Sequence, residues 1–505
     1  MPLAMGLQGN PYDAIIVGAG ATGAWAAGRL GAAGMNVLLL DAGPNRPRIS
    51  PWQARFDWYV ESYAGRFRPG RKRREEKLRE LARRQPIQSL CYAWAGDPEA
   101  FVDDIDNPYV ATGAPFCWFR ARQVGGRLAV RHHGRRFFRF TDGEFKAGGA
   151  DGLELNWPVS HDELAPYYAI VERRFGMAPR ECNRTERWLK SLVAGRWPGR
   201  ELDPVSRTYP PDLVVQALST GRVTLQSGAV VSHLELDLGS NEIKAVAVID
   251  ATTQECREIF GRKVFMCAST IESTRVLLNS RSARYPEGIG NASGVLGRYF
   301  MDQVHVFANV RVRRVKLNAW VPPRRIELFV PFPRETATES ISVGGYGVQI
   351  EAGAPIVSRE MQIGLSSFGE MLPRHENRIT LSATTKDKWG LAAAEIECRL
   401  SENDRNVMEE QRHFLGRLRG ADIEVDLEDS ADKPLGYAIH EVGTARMGDD
   451  PKTSYLDPYN RSWEIRNLFV TDGSSFVTSG YQNPTLTMLA LTERACDRVL
   501  KGDQR

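Results

Sequence analysis

Gly18-Ala19-Gly20-Ala21-Thr22-Gly23 is the stretch that decides how this chain is read. It follows Tyr12 to Val17, an apolar, β-branched run of the kind that forms a buried parallel strand. It opens an Ala-rich helix that runs to about Ala33 and is closed by Gly34. Asn36 to Leu40 forms the next strand, and Asp41 sits at its carboxyl end. In that setting Gly18 permits the tight turn, Gly20 lets the backbone approach a pyrophosphate, and Gly23 lets helix and strand pack closely. The helix N-terminus offers free N–H groups and partial positive charge to phosphates. Asp41 lies 18 residues beyond Gly23, about where a ribose-binding carboxylate belongs. The motif predicts dinucleotide binding and leaves NAD and FAD undecided. The rival reading is a tight α/β turn without a ligand.

Composition narrows the class around that motif. At 505 residues the chain has room for two large domains or three smaller ones. Hydrophobic residues make up 42% and charged residues 25%, which is globular and not disordered. Lys+Arg 66 against Asp+Glu 62 leaves a net charge of +4, too small and too dispersed to suggest nucleic-acid binding. No run approaches the ~18 apolar residues of a membrane span. Met1 to Asn10 has neither a basic nor an apolar signal region, so the expected location is the cytoplasm. The seven cysteines are scattered and form no C-x-x-C pair, which predicts reduced, packed thiols. The remaining histidines, His161, His233, His305, His375 and His413, lack metal-ligand spacing, so no metal is expected. The densest charge run, Arg71 to Lys77, reads as a solvated helix laced with i,i+4 pairs.

Farther along, residues 110–150 look like long loops, and Asp162 to Phe175 is a short helical segment. Val223 to Phe265 alternates in short strands, and residues 305–400 are mainly strands. Ser401 to Leu418 has helical periodicity, and Pro484 to Leu500 is a strong helix. The order is a βαβ start, a mixed middle and a βα end. It suggests a nucleotide domain built from separated segments, with a β-rich domain inserted.

Two late residues are candidates for chemistry. His440 stands in a glycine-broken segment ending at Gly448, and Asn483 precedes Pro484 at the start of the last helix. Taken alone, Asn483 reads as a helix cap and His440 as a buried, hydrogen-bonded histidine.

Together with the glycine motif these residues resemble the glucose-methanol-choline (GMC) flavin oxidoreductases, nearly end to end. Arg122-Gln123-Val124-Gly125-Gly126-Arg127 is similar to the family's flavin-contacting loop, and Cys267 to Arg275 with Leu277 to Ser280 resembles its second signature. Trp157-Pro158, Leu164 to Tyr168 and Gly297 to Asp302 are further matches. Within the family the chain looks most like bacterial glycoside 3-oxidoreductases and, more distantly, pyranose oxidases, through Phe101 to Asp104, Asn107 to Tyr109 and Phe368 to Pro373.

The resemblance implies an α/β (α+β overall) fold. A Rossmann-like FAD-binding domain would comprise residues 1–160, 206–304 and 436–505. A β-sheet-rich substrate-binding domain would comprise residues 161–205 and 305–435. It implies oxidation of a secondary alcohol of a sugar or glycoside, with C3-OH a candidate position. His440 would be the base, Asn483 would hold the hydroxyl, and hydride would pass to flavin N5. Another polyol, such as an aminocyclitol, or a flavoprotein with lost activity are the alternatives. FAD would contact Gly18, Gly20, Ala21, Thr22, Gly23, Asp41, Ala42, Gln123, Gly125, Gly126, Val231, Ala268, Asp472, Gly473, Asn483, Pro484 and Thr485. Non-covalent FAD is favoured over a link through His132 or His133. The electron acceptor would be O2 or an electron carrier, and an accessory subunit stays open. One departure stands out: relatives follow Gly-Gly-Arg with Ser and then Trp-Gly-Arg, whereas this chain has Leu128-Ala129-Val130-Arg131-His132-His133-Gly134.

Overall fold

A computed structural model describes residues 12–47, 71–131, 136–146, 156–198, 200, 202–205, 211–313, 325–332, 342–353, 360–428 and 434–502. The opening motif folds as its pattern predicts. Tyr12–Val17 and Val37–Asp41 are parallel neighbours, joined by the helix Ala21–Ala32. Residues Val37 to Leu40 are completely buried, which is why the strand reads as an unbroken apolar run.

Three parts of the chain complete this first sheet. Its order runs Val223–Ser227, Val37–Asp41, Tyr12–Val17, Cys256–Met266, Glu242–Asp250, Ala229–Asp237, with Leu468–Val470 also paired to Cys256–Met266. The pairs Tyr12–Val17 with Cys256–Met266 and Leu468–Val470 with Cys256–Met266 are parallel, so their carboxyl ends share one edge. The last helix, Thr485–Leu500, packs with Ala21–Ala32, and Trp25 Nε1 donates to Glu493 at 2.8 Å. The sheet of separated segments is therefore closed by a helix from the far end of the chain.

A second, antiparallel sheet has the order Ile423–Glu428, Gln303–Val312, Met361–Glu370, Tyr346–Gly353, Arg325–Phe332, Asp203–Pro204. Strand alternation divides it into two faces. Val304, Val306, Ala308, Val310 and Val312 turn to a core shared with Val407 and Leu415 of Glu402–Gly416 and with Leu189 and Val193 of Arg184–Ala194. Gln303 and His305 turn the other way, as do Gln349 and Phe368. A third sheet (Val442–Thr444, Arg298–Met301, Arg378–Lys386, Ala392–Glu397, Val110–Ala111) packs on the helix Thr270–Asn279 through Ile271, Phe300, Ile379 and Ile396. It carries the segment leading out of His440 against the first domain.

One sequence reading changes here, and a second gains detail. The domain boundary placed at residue 161 falls just before the helix His161–Arg174, yet Leu164, Tyr168, Val171 and Phe175 pack in the core of the first sheet. The partner core changes only by Leu189. An amphipathic pattern shows that a helix has a buried face, but not which neighbour covers it. The Arg-rich run is the helix Arg71–Arg84, with Leu78, Leu81 and Ala82 packed inward near Trp94. Lys77 pairs across to Glu99 at 2.7 Å, and Arg84 pairs with Asp103 and with Asp106, the latter at 2.9 Å; these partners lie on the following segment.

Candidate active site

The glycine loop lies at the carboxyl edge of the first sheet, where open α/β sheets place their ligands. A Cβ on Gly18, whose φ is +101°, would stand 2.4 Å from the Cys267 carbonyl oxygen. A Cβ on Gly23 would stand 1.8 Å from the Gly18 carbonyl oxygen. A Cβ on Gly20 would meet nothing within 4 Å. Two glycines therefore serve packing, and the middle one opens onto space. The N-terminus of Ala21–Ala32 has no side-chain cap, so its first amides face that space. Thr22 and Gly23 are buried behind it, and Ala21 is half-buried.

Other predicted positions gather on the same edge. Asp41 is buried; its Oδ2 accepts from the Ala19 amide at 2.9 Å and its Oδ1 from the Gly43 amide at 2.8 Å. The carboxylate is thus oriented by the loop it follows, with Ala42 between its two anchors. The Gly125 amide donates to the Ala19 carbonyl at 2.9 Å, and a Cβ on Gly126 would stand 3.1 Å from the Gly20 Cα. Positive φ values of 92° and 54° at Gly125 and Gly126 allow this approach. Gln123 is buried; its Oε1 accepts from Arg46 at 3.0 Å, while its Nε2 has no partner among the described residues. A buried donor left unmatched beside an uncapped helix terminus suits a polar ligand. Ala268 precedes Ser269, which holds φ 76° and leads into Thr270–Asn279. Asp472 faces inward: its carboxylate accepts from Ser273 at 2.5 Å and from the Ser474 amide at 3.0 Å, and burial pushes its pKa up. Gly473 lies against Thr270, and Val231 is buried in Ala229–Asp237.

The two chemical candidates, 43 positions apart in sequence, touch. Asn483 Nδ2 and His440 Nε2 are 2.8 Å apart. Asn483 therefore does not cap the last helix. Pro484 holds the cap position of Thr485–Leu500, with no side-chain cap. Local sequence favours the cap because Asn-Pro is a common helix start; the long-range contact with His440 overrides it. His440 Nδ1 lies 2.6 Å from Gln303 Oε1, and the His440 amide donates to Asp302 Oδ1 at 2.9 Å. Gln349 Nε2 donates to Asn483 Oδ1 at 2.7 Å. Phe368 stands against the imidazole with ring centroids 5.1 Å apart, and stacks on His305 on its other flank.

Charged residues lie around this group. Asp302 is buried, and burial together with the charge of Glu441 pushes its carboxyl up to about 7. Glu441 is held by Arg127 at 2.8 Å, and Arg127 also donates to the Ile439 carbonyl at 2.9 Å. The residue after the Gly-Gly pair thereby ties that loop to the His440 segment. Arg136, beyond the altered loop, pairs with Glu351 and lies 3.8 Å from Glu327, both on the second sheet. His132 and His133 lie outside the described residues.

Gln303 and Gln349 were not among the residues predicted from sequence. A weak signal exists for both. In Val348-Gln349-Ile350-Glu351-Ala352 the polar positions alternate with buried apolar ones, which marks one face of the strand as polar. Pattern alone does not say that this face meets His440.

Comparison with known proteins agrees with this architecture. Residues 373–492 match the C-terminal domain of the GMC oxidoreductase family. The 2-methyl-1,2-propanediol dehydrogenase of Mycolicibacterium austroafricanum is 27% identical over 98% of this chain and 96% of its own length. A C-glycoside 3-oxidase of Microbacterium trichothecenolyticum is 26% identical over 67% of this chain and 65% of its own. Among solved structures, pyridoxine 4-oxidase from Mesorbium loti superposes with a TM-score of 0.60 at 18% identity, covering 96% of this chain and 99% of that one. That last likeness concerns the fold.

Proposed function

We propose that this chain, similar to the GMC oxidoreductases over residues 373–492 and to a dehydrogenase along nearly its whole length, is an FAD-dependent enzyme acting on CH–OH groups that oxidises a secondary alcohol of a sugar or glycoside to the ketone. The observation that carries the reading is the contact between Asn483 Nδ2 and His440 Nε2 at 2.8 Å, beside a polar face of the second sheet.

The residues fit the cofactor. The open side of Gly20, the uncapped start of Ala21–Ala32 and the unmatched Gln123 Nε2 suit a pyrophosphate and a flavin edge. Gly18 to Gly23, Asp41, Ala42, Gly125, Gly126, Val231, Ala268, Asp472, Gly473, Pro484 and Thr485 would complete the site. When bound, FAD supplies the hydride acceptor at N5. We favour a non-covalent flavin.

The chain's own residues account for the proton. An alcohol must lose its hydroxyl proton as hydride leaves the carbon. His440 Nε2 is the acceptor, because an unperturbed imidazole titrates near working pH. Asn483 Nδ2, which lies on the Nε2 lone pair, would pass its N–H to the same hydroxyl oxygen, fixing where it sits and freeing Nε2 for the proton. After transfer the imidazolium has two N–H groups. Gln303 Oε1 receives one, and the product oxygen receives the other. Phe368 shields the ring on one side, which keeps the proton from leaking to water.

The glycoside-oxidising relative supports a sugar substrate and C3 as its reacting position. Molecular oxygen or an electron carrier would reoxidise the flavin, and a second subunit would be one form of carrier. No described helix is long and apolar enough to cross a membrane. The test is an anaerobic visible spectrum of the purified protein before and after a simple glucoside, with His440→Ala as control. A flavin band that bleaches in the wild type, and bleaches about 10²–10⁴-fold more slowly in the variant, is expected. A flavin-replete His440→Ala protein that bleaches at the wild-type rate refutes the role of His440. A wild-type band that no sugar, glycoside or aminocyclitol bleaches refutes the substrate class.

A further inference from the structure

The hydrogen bonds around His440 have a determined direction, and it starts from Gln303. The Gln303 amide nitrogen lies 3.0 Å from the Gly480 carbonyl and 2.9 Å from the Gln482 carbonyl. Carbonyl oxygens only accept, so the group facing them is the NH2 and not the oxygen. The Gln303 oxygen must then be the atom 2.6 Å from His440 Nδ1. An amide oxygen also only accepts, so Nδ1 carries the proton. In the neutral ring Nε2 is left with its lone pair. The Asn483 group 2.8 Å from Nε2 is then its NH2, and its oxygen accepts from Gln349 at 2.7 Å.

We infer that Gln303 is the positioning residue that fixes His440 in the Nδ1–H tautomer and so presents Nε2 as proton acceptor. The inference rests on the proposed role of His440 as base and supplies its cause. Gln303 is fully buried, and its two amide atoms join the His440 segment to the segment carrying Asn483. One side chain thus sets both the protonation pattern of the base and its distance from the alcohol-binding amide. The orienting group is also neutral. A carboxylate at this place would hold the imidazolium more tightly and raise the pKa of the base. The nearest acid, Asp302, instead receives the His440 backbone amide at 2.9 Å.

The direct test is nitrogen NMR of the flavin-loaded protein labelled on histidine with nitrogen-15, with His440 assigned by the signal lost in His440→Ala. The expected result is a protonated Nδ1 and an unprotonated Nε2 at neutral pH. A proton on Nε2 in the wild type overturns the inference, whatever the activity. Gln303→Met keeps the length of the side chain and removes the acceptor. In that variant the His440 signals shift toward a mixture of tautomers. Anaerobic flavin reduction slows by about 10²-fold, within the range that a general base supplies. The rising limb of its pH profile moves to lower pH, because the imidazolium has lost an acceptor. Unchanged His440 signals in a folded Gln303→Met protein also overturn the inference. If His440→Ala reduces flavin normally while the wild-type tautomer is as stated, it is the assignment of the base that fails and not the role of Gln303.

Discussion

Replacing Gly20 by Ala should separate cofactor binding from folding. The backbone at Gly20 has φ −74° and ψ −158°, which an alanine adopts without strain. A Cβ there touches no protein atom within 4 Å. The alanine is a poorer helix cap than glycine but restricts the unfolded chain, and these effects offset to within about 1 kcal/mol. The apo-protein should therefore melt within a few degrees of the wild type. The methyl group nevertheless occupies the space over the first amides of Ala21–Ala32. A pyrophosphate pushed away from two of those amides loses two charge-assisted bonds at about 1.5–3 kcal/mol each. That sum, about 3–6 kcal/mol, weakens FAD by roughly 10²–10⁴-fold. Titration of apo-protein with FAD, followed by flavin fluorescence, gives the dissociation constant, and circular dichroism gives the melt. Gly23→Ala is the contrast, because its Cβ would lie 1.8 Å from the Gly18 carbonyl oxygen and disrupt the fold itself. A Gly20→Ala protein that binds FAD within threefold of wild type would refute the placement of the pyrophosphate at this helix.

Asn483→Ala is expected to slow anaerobic flavin reduction by at least about tenfold while changing thermal stability little; a loss of the ~1 kcal/mol typical of a deleted cap, with normal reduction, would restore the capping role. Arg127→Ala leaves the buried Glu441 carboxylate unpaired, and chemical denaturation should show a loss of about 3 kcal/mol, the low end for a broken buried pair because Arg127 is 28% exposed. Asp302, pushed up to about 7, holds a proton in the folded state that the unfolded chain releases near pH 4, so folding stability should fall as pH rises from about 4 to about 7. Asp302→Asn, which keeps an oxygen for the His440 amide, should flatten that slope in urea titrations; an unchanged slope would remove Asp302 as its source.

What was legible in the sequence is what local pattern determines. Gly18, Gly20 and Gly23 declare their geometry because each position tolerates no side chain or faces a ligand, and the strand before them is apolar throughout. His440 and Asn483 stood out through resemblance to a family, not through spacing, since nothing in 43 intervening residues says that they touch. The helix His161–Arg174 shows the limit clearly. Its buried face is written in Leu164, Tyr168 and Val171, but the choice of core depends on Trp25 and Leu489, which lie far away in the chain. Gln303 was hidden for a similar reason. It is one of the alternating polar residues of its strand, with His305, Asn309 and Arg311, and its meaning depends on carbonyls at 480 and 482. Hydrogen bonds to backbone carbonyls leave no trace in side-chain pattern.

The altered loop after Gly126 bears on whether the chemistry is retained. Relatives carry serine and tryptophan there, and their absence raised the alternative of a flavoprotein without activity. The anchoring of the loop argues against that alternative. Arg127 donates to the Phe119 carbonyl at 3.1 Å, to the Ile439 carbonyl at 2.9 Å and to Glu441 at 2.8 Å. Val130 is buried among Phe101, Phe119 and Trp94. Arg136 is tied to Glu351 on the sheet face that carries Gln349. Of the described residues flanking the loop, Arg127 is therefore tied to the His440 segment and Arg136 to the second sheet. Beside these anchors His440 keeps its contacts with Gln303 at 2.6 Å and Asn483 at 2.8 Å, the arrangement that the proposed proton transfer requires.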